Sequence, residues 1–523
     1  MDLKLAKHFA YGNLKLQMNL TQITIIGGGA CGISAFIELF LQLRIAQRHQ
    51  QVSITIIEEN EEVGKGLAFG TKQPGHILNT QADLMGIHFN EPQHFSEWLI
   101  EHEKNVAHEV VDNQGENEAF TTRRLYGDYL KGQFEHYFSL AKAEGMDVQV
   151  IHARALDVKK RKEGFRISLS DNKTHDSDYL LLAPGTPVAN NYPELEEKEN
   201  YFGSPWPSSV ILDNIPKDAD IGILGCSLSA IDALMTLTDN GYKGKITCYS
   251  PDGLMPRVQP EVQEMIECKH ITLKNLHQIQ REELRNPKVK ELFRLFIREA
   301  EEYAGKKLDW KAAKRAHKPA DELLKEDIET AKNGGDALIN IPYSLRYESS
   351  EMWKWLSEEE KLKFKKWLGP YWGLNRHCMP IINAERVYKL FESGQLKVIP
   401  GLDGVEYEAE REEFLLSLKD GESAAEKYII NATGPASSVK MMKSELMQNL
   451  AKSGLVEAEA AGGIQINTET MQVISGEETY PNFYAVGHIT NGLLLDVNAV
   501  WFNVKMIGKL CRHLTGQLIG NPA

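Results

Sequence analysis

Apolar runs broken by glycine predict a strand–helix–strand unit near the start of the chain. Ile23 to Ile26 is a short β-branched run, as expected of a buried parallel strand. Glycines follow at once, then an apolar helix from Ile33 to Leu43 and a second strand from Val52 to Ile57. The helix is too short to span a bilayer and contains Glu38, so we expect a buried helix of an α/β sheet and no membrane span.

The same pattern returns in the middle of the chain. Ile221 to Leu224 predicts a strand, Ala230 to Thr238 a helix that ends before Gly241, and Lys245 to Tyr249 another strand. The glycine spacing of this second unit is only partial. Its alternative interpretation is therefore a structural strand–helix–strand half that holds no ligand.

Further apolar runs extend both units. Two pairs of runs are predicted to be hairpins whose last strand enters an Ala-x-Gly turn, namely 165–169 with 179–183 and 414–418 with 428–432. Near the C-terminus, a strand from Asn482 ends at Gly487, and a helix is predicted from about Asn498 to Leu514. The predicted fold class is α/β, with two Rossmann-like dinucleotide-binding domains.

Between these units the pattern changes to helical spacing. Ser357 and Glu360 form a capping box before an apolar run, and charges fill the other faces. Helical periodicity also places one apolar set on a single face: Val289, Leu292, Phe293, Phe296 and Ala300. We predict a helical insertion at 259–380, a discontinuous first domain at 1–200 and 400–523, and a second domain at 201–258 and 381–435.

Length and composition narrow the class of protein. A chain of 523 residues with 42% hydrophobic positions predicts two or three domains with sizeable cores. The net charge of −14 argues against nucleic acid as a partner. Six scattered cysteines show neither a CxxC pair nor metal-ligand spacing, and the first twenty residues show no secretory signal. We expect a reduced, cytoplasmic protein without a metal site; the oligomeric state is not predicted.

The first glycine turn has the chemistry of a pyrophosphate site. Gly27 makes the tight turn, Gly29 lets the backbone approach a phosphate, and Gly32 lets helix and strand pack closely. Ala30 and Cys31 open the helix, whose N-terminal amides and dipole favour phosphate. An acidic residue at the end of the second strand, Glu58, is placed to accept hydrogen bonds from a ribose diol. FAD or NAD therefore fits better than NADP, the alternative being a glycine-rich turn of an unrelated α/β domain.

The second turn is the predicted NAD(P) site. Gly225 follows the strand, and Ser227, Leu228 and Ser229 open the helix, where the two hydroxyls are able to cap it and donate to phosphate.

Several blocks give the chain a family resemblance. It resembles bacterial FAD/NAD(P)-binding proteins that include aspartate N-monooxygenase-like and urate hydroxylase-like members, and more distantly the ornithine and lysine N-hydroxylases and flavin-containing monooxygenases. The blocks cover most of the chain: 64–71 (GKGLAFGT), 76–79 (HILN), 95–99 (FSEWL), 123–129 (RRLYGDY), 254–257 (LMPR), and Arg376-His377 with Pro380.

The resemblance implies bound FAD and NAD(P)H, and it extends the set of cofactor-binding residues. For FAD the additional candidates are Lys65, Gly66, Asn79, Arg123, Leu125, Ala183, Gly185, Gly487, His488 and Asn498. Two positions depart from the family pattern. Ser250 begins a segment that lacks the basic residues expected for a 2′-phosphate, with Arg257 as a compensating candidate, and His488 stands where many flavoproteins have aspartate.

The insertion supplies candidates for the substrate site. Arg346, Arg376 and His377 are candidates for contacting a carboxylate-bearing substrate, or else form surface salt bridges. The surrounding aromatic residues are either a wall over the flavin or ordinary core: Tyr343, Tyr347, Trp353, Trp355, Trp367, Tyr371 and Trp372.

The leading functional hypothesis is an FAD-dependent, NAD(P)H-using monooxygenase that acts with molecular oxygen on a small polar or amino-acid-type substrate. The alternatives are a flavin reductase or dehydrogenase without oxygen transfer, and a flavin-binding regulatory protein without turnover.

Overall fold

The computed structural model describes residues 20–112, 119–315 and 318–520. The first 19 residues, for which no secretory signal is predicted, lie outside this range. The strands in the described part are β1 Thr21–Ile26, β2 Val52–Ile57, β3 Val110–Asp112, β4 Phe120–Thr121, β5 Asp147–Ile151, β6 Ala155–Lys160, β7 Phe165–Leu169, β8 Thr174–Ser177, β9 Tyr179–Leu182, β10 Tyr201–Phe202, β11 Ile221–Leu224, β12 Ile246–Ser250, β13 Leu396–Pro400, β14 Leu402–Glu408, β15 Glu413–Leu418, β16 Ser423–Glu426, β17 Ile429–Asn431, β18 Gln472–Ser475 and β19 Glu478–Ala485.

Helices alternate with these strands as an α/β architecture requires. They are α1 Ala30–Ile45, α2 Gly66–Phe69, α3 His94–Glu101, α4 Glu103–Val106, α5 Arg123–Ala143, α6 Ser208–Asn214, α7 Leu228–Asp239, α8 Leu273–Glu283, α9 Val289–Ala304, α10 Ala320–Lys332, α11 Ala337–Ser344, α12 Ser349–Lys354, α13 Glu358–Trp367, α14 Gly369–Arg376, α15 Ile381–Glu392, α16 Glu445–Lys452 and α17 Val500–Gly520.

The first sheet carries the first glycine turn. Its strand order is β18-β19-β9-β1-β2-β5, and the pairs from β19 to β5 are parallel. All six side chains of β2 are buried, because the strand lies inside the sheet between β1 and β5 and is apolar or β-branched at every position except Ser53. β1 pairs with β2 in the register Ile23 to Ile54 and Ile25 to Ile56.

The second sheet repeats the first. Its order is β10-β17-β11-β12-β13, and every pair is parallel. Strands β17-β11-β12-β13 therefore stand in the same order as β9-β1-β2-β5, with α7 placed like α1 and α15 placed like α5. The predicted fold class of two Rossmann-like units is confirmed, and each glycine turn lies at the carboxyl end of its central strand.

The two predicted hairpins are wrong in their pairing. β7 pairs with β8 in a separate three-stranded antiparallel sheet, whereas β9 joins the first parallel sheet beside β1. In the second unit β15 likewise pairs with β16, and β17 joins the second parallel sheet. The intervening strands β8 and β16 are short and mostly polar, so hydrophobic periodicity does not reveal them.

The region between β12 and α15 is helical, as predicted. Ser357 accepts a hydrogen bond from the Glu360 amide at the start of α13, which confirms the Ser357 half of the predicted capping box. The Glu360 carboxylate accepts from the Val289 amide of α9. A separate apolar core joins parts of α8, α9, α11 and α12, whereas α10 buries Leu324 and Ile328 in the core of the second unit. Packing against α15 thus ties this helix to the nucleotide-type domain, and the division of the chain into domains stays a proposal.

The C-terminal helix closes the first unit. α17 packs along α1, and Cys511 donates to the Ala35 carbonyl across that contact. No helix in the three described ranges is long and apolar enough to cross a membrane.

Candidate functional site

The first turn admits only glycine at two positions. Gly27 has a φ of +102°, and an added Cβ would lie 2.1 Å from the Ala183 carbonyl oxygen. A Cβ on Gly32 would lie 1.9 Å from the Gly27 carbonyl oxygen, because α1 crosses the strand at this point. The turn therefore holds Ala183, directly after β9, and the first helical turn against the same backbone, as the sequence predicts.

Two other glycines form an open cradle beside this turn. Gly29 is the N-cap of α1 and, having no side chain, makes no capping hydrogen bond to the first helical turn. A Cβ on Gly29 would meet the Cα of Gly66 at 3.7 Å and no nearer atom. The Glu58 carboxylate lies at the edge, where it accepts hydrogen bonds from the amides of Gly28 (2.7 Å) and Asn60 (3.0 Å). A bare backbone, a positive helix end and a nearby carboxylate suit a dinucleotide's phosphates and ribose.

A half-buried histidine, His488, lies beside the first turn. His488 Nε2 donates to the Ala436 carbonyl oxygen at 3.1 Å, and burial lowers the pKa of the ring. The neutral ring leaves Nδ1 as an acceptor, and this buried atom has no hydrogen-bond partner. Gly487 has a φ of +84°, and its Cβ position is 3.6 Å from the Cys31 sulfur, whose pKa burial raises to about 12. An orphaned acceptor beside a glycine cradle fits a cofactor that brings hydroxyl or N–H donors.

Some predicted FAD contacts are occupied by other partners. The Leu125 side chain lies in the core and its amide donates to Thr122 Oγ1, which caps α5, so its contact with a cofactor stays a prediction. Arg123 donates to both carboxylate oxygens of Asp232 on α7, at 2.9 and 3.0 Å. Lys65 Nζ lies 2.9 Å from Asp128. Arg123 thus bridges the two nucleotide-type units, and its contact with a cofactor stays a prediction, as does that of Lys65.

The second turn repeats the first turn's geometry with fewer free groups. Gly225 has a φ of +105°, and an added Cβ would lie 2.6 Å from the Ala432 carbonyl oxygen. Ser227 is the N-cap of α7 and makes no side-chain cap, so its hydroxyl remains available, and Ser229 follows in the first turn. Ser250 accepts from the Gly253 amide within its own loop.

The prediction for Arg257 is wrong. Its side chain is only 3% exposed and donates to Asp327 at 3.0 Å and to Asp336 at 2.8 Å. The guanidinium is held inside the protein by two carboxylates, so it does not reach a nucleotide's 2′-phosphate. Its role is to tie the end of the second unit to the helical region.

A cavity of about 230 Å³ lies where the two units and the helical region meet. The segment before α5 contributes Asn79, and the start of α7 contributes Leu228. Asn498, just before α17, lies on the same wall, 3.4 Å from His377 Nε2. The structure thus brings together candidates from all three predicted sites, whereas Gly27 and Gly32 lie outside this lining.

The charge centre of the cavity is a residue that sequence reasoning missed. Asp496 is buried, has a φ of +60°, and accepts a hydrogen bond from Ser349 at 2.9 Å. Its carboxylate lies 3.7 Å from Arg376 Nε and 3.9 Å from His377 Nε2. Burial raises the pKa of Asp496, but Arg376, His377 and Ser349 together hold it below its ordinary value. An aspartate between a glycine-rich strand end and a helix carries no motif of its own.

Comparison with known proteins agrees with this geometry. Residues 24–187 match a family model described as FAD-NAD(P)-binding. This segment is an FAD-NAD(P)-binding domain. A curated relative, the uncharacterised protein YdhS of Escherichia coli (strain K12), is 25% identical over 225 residues, which are 42% of this chain. The chain matches 39% of the length of that relative.

Solved structures share the whole fold at low identity. Ornithine hydroxylase from Pseudomonas aeruginosa has a TM-score of 0.57 at 14% identity, covering 95% of this chain and all of that one. Ornithine N-hydroxylase of Kutzneria sp. 744, in its structure with reduced FAD, NADP+ and L-ornithine, has a TM-score of 0.56 at 13% identity, covering 96% and 99%. L-lysine 6-monooxygenase from Pseudomonas syringae has a TM-score of 0.54 at 10% identity, covering 95% and 99%. The expected likeness to N-hydroxylases is confirmed for the fold.

Proposed function

We propose that this chain is an FAD-dependent oxidoreductase that uses NAD(P)H and molecular oxygen to oxygenate a small polar substrate, as an N-hydroxylating monooxygenase does. The observation that carries the proposal is the cavity between two nucleotide-type units. Leu228 of α7, in the second unit, and Asn79 of the first unit lie on its wall. The full-length likeness to ornithine and lysine hydroxylases supports the same assignment.

The chain's own residues hold and orient the ligands. Gly29 and Gly66 would receive the FAD pyrophosphate, Glu58 its ribose, and the unpartnered His488 Nδ1 a donor group of the cofactor. The turn after Gly225 would receive the phosphates of NAD(P)H. Bound FAD supplies hydride acceptance and oxygen activation, which protein side chains lack.

The apolar part of the cavity wall would limit contact between the chemistry and bulk water. Phe69, Leu84, Met85, Ile339 and Trp501 are apolar members of the lining. An apolar wall slows wasteful decay of a reactive intermediate and strengthens the few polar contacts inside.

Anaerobic stopped-flow reduction tests the proposal. The purified protein should carry one flavin, and NADH or NADPH should bleach it without oxygen. Mixing the reduced protein with air should then give a transient whose absorbance differs from both the reduced and the oxidised flavin, and a substrate should shorten its life. Bleaching followed by direct re-oxidation would instead assign the reductase alternative, and failure of both nucleotides to bleach the flavin would contradict an NAD(P)H-using enzyme.

A further inference from the structure

One buried arginine of the helical region forms no ion pair found among the described residues. Arg346 follows α11, lines the cavity and is 5% exposed. Its guanidinium carbon lies 3.5 Å from the centroid of the Tyr343 ring, and one terminal nitrogen donates to the Met265 sulfur. Its Nε is buried without any hydrogen-bond partner. The flat face of the group is therefore fixed by an aromatic ring, while one of its donor positions is unused.

The rest of the chain shows that this arrangement is unusual. Arg257 is equally buried, and its charge is balanced by Asp327 and Asp336. Arg123, nearly as buried, is balanced by Asp232. Among the ion pairs found between described residues, none includes Arg346, whereas Arg376 pairs with Asp496. An unpaired buried charge costs several kcal/mol, so a protein keeps one where a ligand neutralises it.

The cavity has a surplus of positive charge. Arg376 lines it too, and the Nε of Arg376 is buried with no hydrogen bond, 3.7 Å from Asp496. Asp496 is the one carboxylate among the described lining residues, whereas the lining contains two arginines besides Arg123, namely Arg346 and Arg376. The charge of Arg123 is balanced by Asp232, a residue that does not line the cavity. One further negative charge would balance the wall.

Unused acceptors stand on the same wall. The amide oxygens of Gln259 and Gln263 are buried without hydrogen-bond partners. They would suit N–H groups of a ligand that places its negative charge at the arginines. The volume of about 230 Å³ is below the roughly 300–1,000 Å³ of pockets for drug-sized ligands, so the ligand is small.

We propose that Arg346, together with Arg376, forms a carboxylate-binding subsite contributed by the helical region, and that the ligand of this cavity is a small carboxylic acid. A planar guanidinium binds a carboxylate through parallel N–H bonds, which sets both affinity and orientation. The statement that this acid is the enzyme's substrate rests on the proposed function. The statement that the acid binds at Arg346 does not depend on the proposed function. Phosphate is the competing anion, but the predicted nucleotide phosphates lie at the turn after Gly225, on another element.

Thermal unfolding of the purified, oxidised full-length protein tests the subsite without turnover. The probes are acetate, glutarate and L-glutamate, each paired with its neutral amide: acetamide, glutaramide and L-glutamine. At least one acid should raise Tm in a saturable way while its amide does not. Absence of any such difference would overturn the proposal, even where inorganic phosphate or NADP+ raises Tm.

Two substitutions make the assignment specific. Arg346→Met should raise Tm without ligand, because it removes an uncompensated buried charge, and should weaken the acid's binding about tenfold or more in calorimetry. Arg346→Lys keeps the charge without the planar fork and should also weaken binding, with a Tm near that of the wild type. Arg411→Met, at an exposed arginine, is the matched control and should leave both unchanged.

The outcomes separate this subsite from the proposed function. If Arg346→Met binds the acid as the wild type does, the subsite is wrong, whatever the flavin does. If NADH and NADPH fail to bleach the flavin while Arg346-dependent binding is present, the monooxygenase is wrong and the subsite stands.

Discussion

Gly29→Ala and Gly32→Ala, only three residues apart, should damage different properties: Gly32→Ala the stability of the fold, and Gly29→Ala the binding of FAD. At Gly32 the new Cβ would lie 1.9 Å from the Gly27 carbonyl oxygen, where real contacts stay above 3.0 Å. Helix α1 must then move by about 1 Å, which costs about 1–3 kcal/mol of folding free energy, at the upper end because backbone opposes backbone. At Gly29 the nearest atom is 3.7 Å away and φ is −76°, so Ala fits the free protein.

The cost at Gly29 should appear only when FAD binds. A methyl group in the cradle keeps a phosphate from approaching the helix N-terminus. Each hydrogen bond to a charged group that is lost costs about 1.5–3 kcal/mol, so binding should weaken roughly 10- to 150-fold for one lost bond. Gly29→Ala should therefore unfold like the wild-type apoprotein yet carry little flavin.

The assay compares apoprotein unfolding in urea with FAD content and affinity. Gly132→Ala is the control, since its Cβ would meet nothing within 4 Å on the exposed side of α5, and it should gain about 0.5–1 kcal/mol with normal flavin. If Gly29→Ala holds FAD with wild-type affinity, the pyrophosphate does not lie in this cradle. If Gly32→Ala leaves apoprotein stability unchanged, the close packing of α1 on the turn is not real.

Three further predictions concern buried ionisable groups. Arg123→Ala should lower the free energy of unfolding in urea by about 3–5 kcal/mol, because Asp232 is left buried and unpaired. The double variant Arg123→Met with Asp232→Leu should lose less than this single change, and additive losses would contradict the Arg123–Asp232 ion pair. Arg257→Met should lower stability by a similar amount and leave the ratio of kcat/KM for NADPH and NADH unchanged, so a shift in that ratio would restore Arg257 as a phosphate ligand. His488 has a folded pKa below its ordinary value of 6.5, so the stability it contributes is present above pH 6.5 and is lost as pH falls below it; His488→Asn should flatten this part of the stability–pH curve, and an unchanged slope would contradict the buried neutral ring.

Local patterns of the sequence predict the elements that carry the cofactor turns. β2 occupies the predicted residues, Val52–Ile57, and β1 and α7 differ from prediction by two residues or fewer at each end. These elements combine strong periodicity with glycine turns, so neighbouring residues are enough to define them. α1 begins three residues early because Ala30 already has a helical backbone in the open first turn.

Pairing between distant residues is where the sequence falls short. Arg257 meets Asp327 and Asp336, which lie 70 and 79 positions further along the chain, and nothing near Arg257 indicates that its charge is already used. Asp496 gains its role only when α14 brings Arg376 beside it. Residue type predicts which bonds a side chain at these positions is able to form, whereas the fold decides which partner it forms them with.

The internal repeat explains why the cavity lies where it does. In the first unit, residues 58–122 are inserted between β2 and α5; in the second, residues 251–380 occupy the equivalent place between β12 and α15. Both segments leave the carboxyl end of a parallel strand, the edge where such sheets bind ligands. They meet at Gln81 and Tyr343, whose side chains approach at 3.4 Å on the cavity wall. One repeated architecture thus builds the two glycine turns, and its two unequal insertions build the cavity between them.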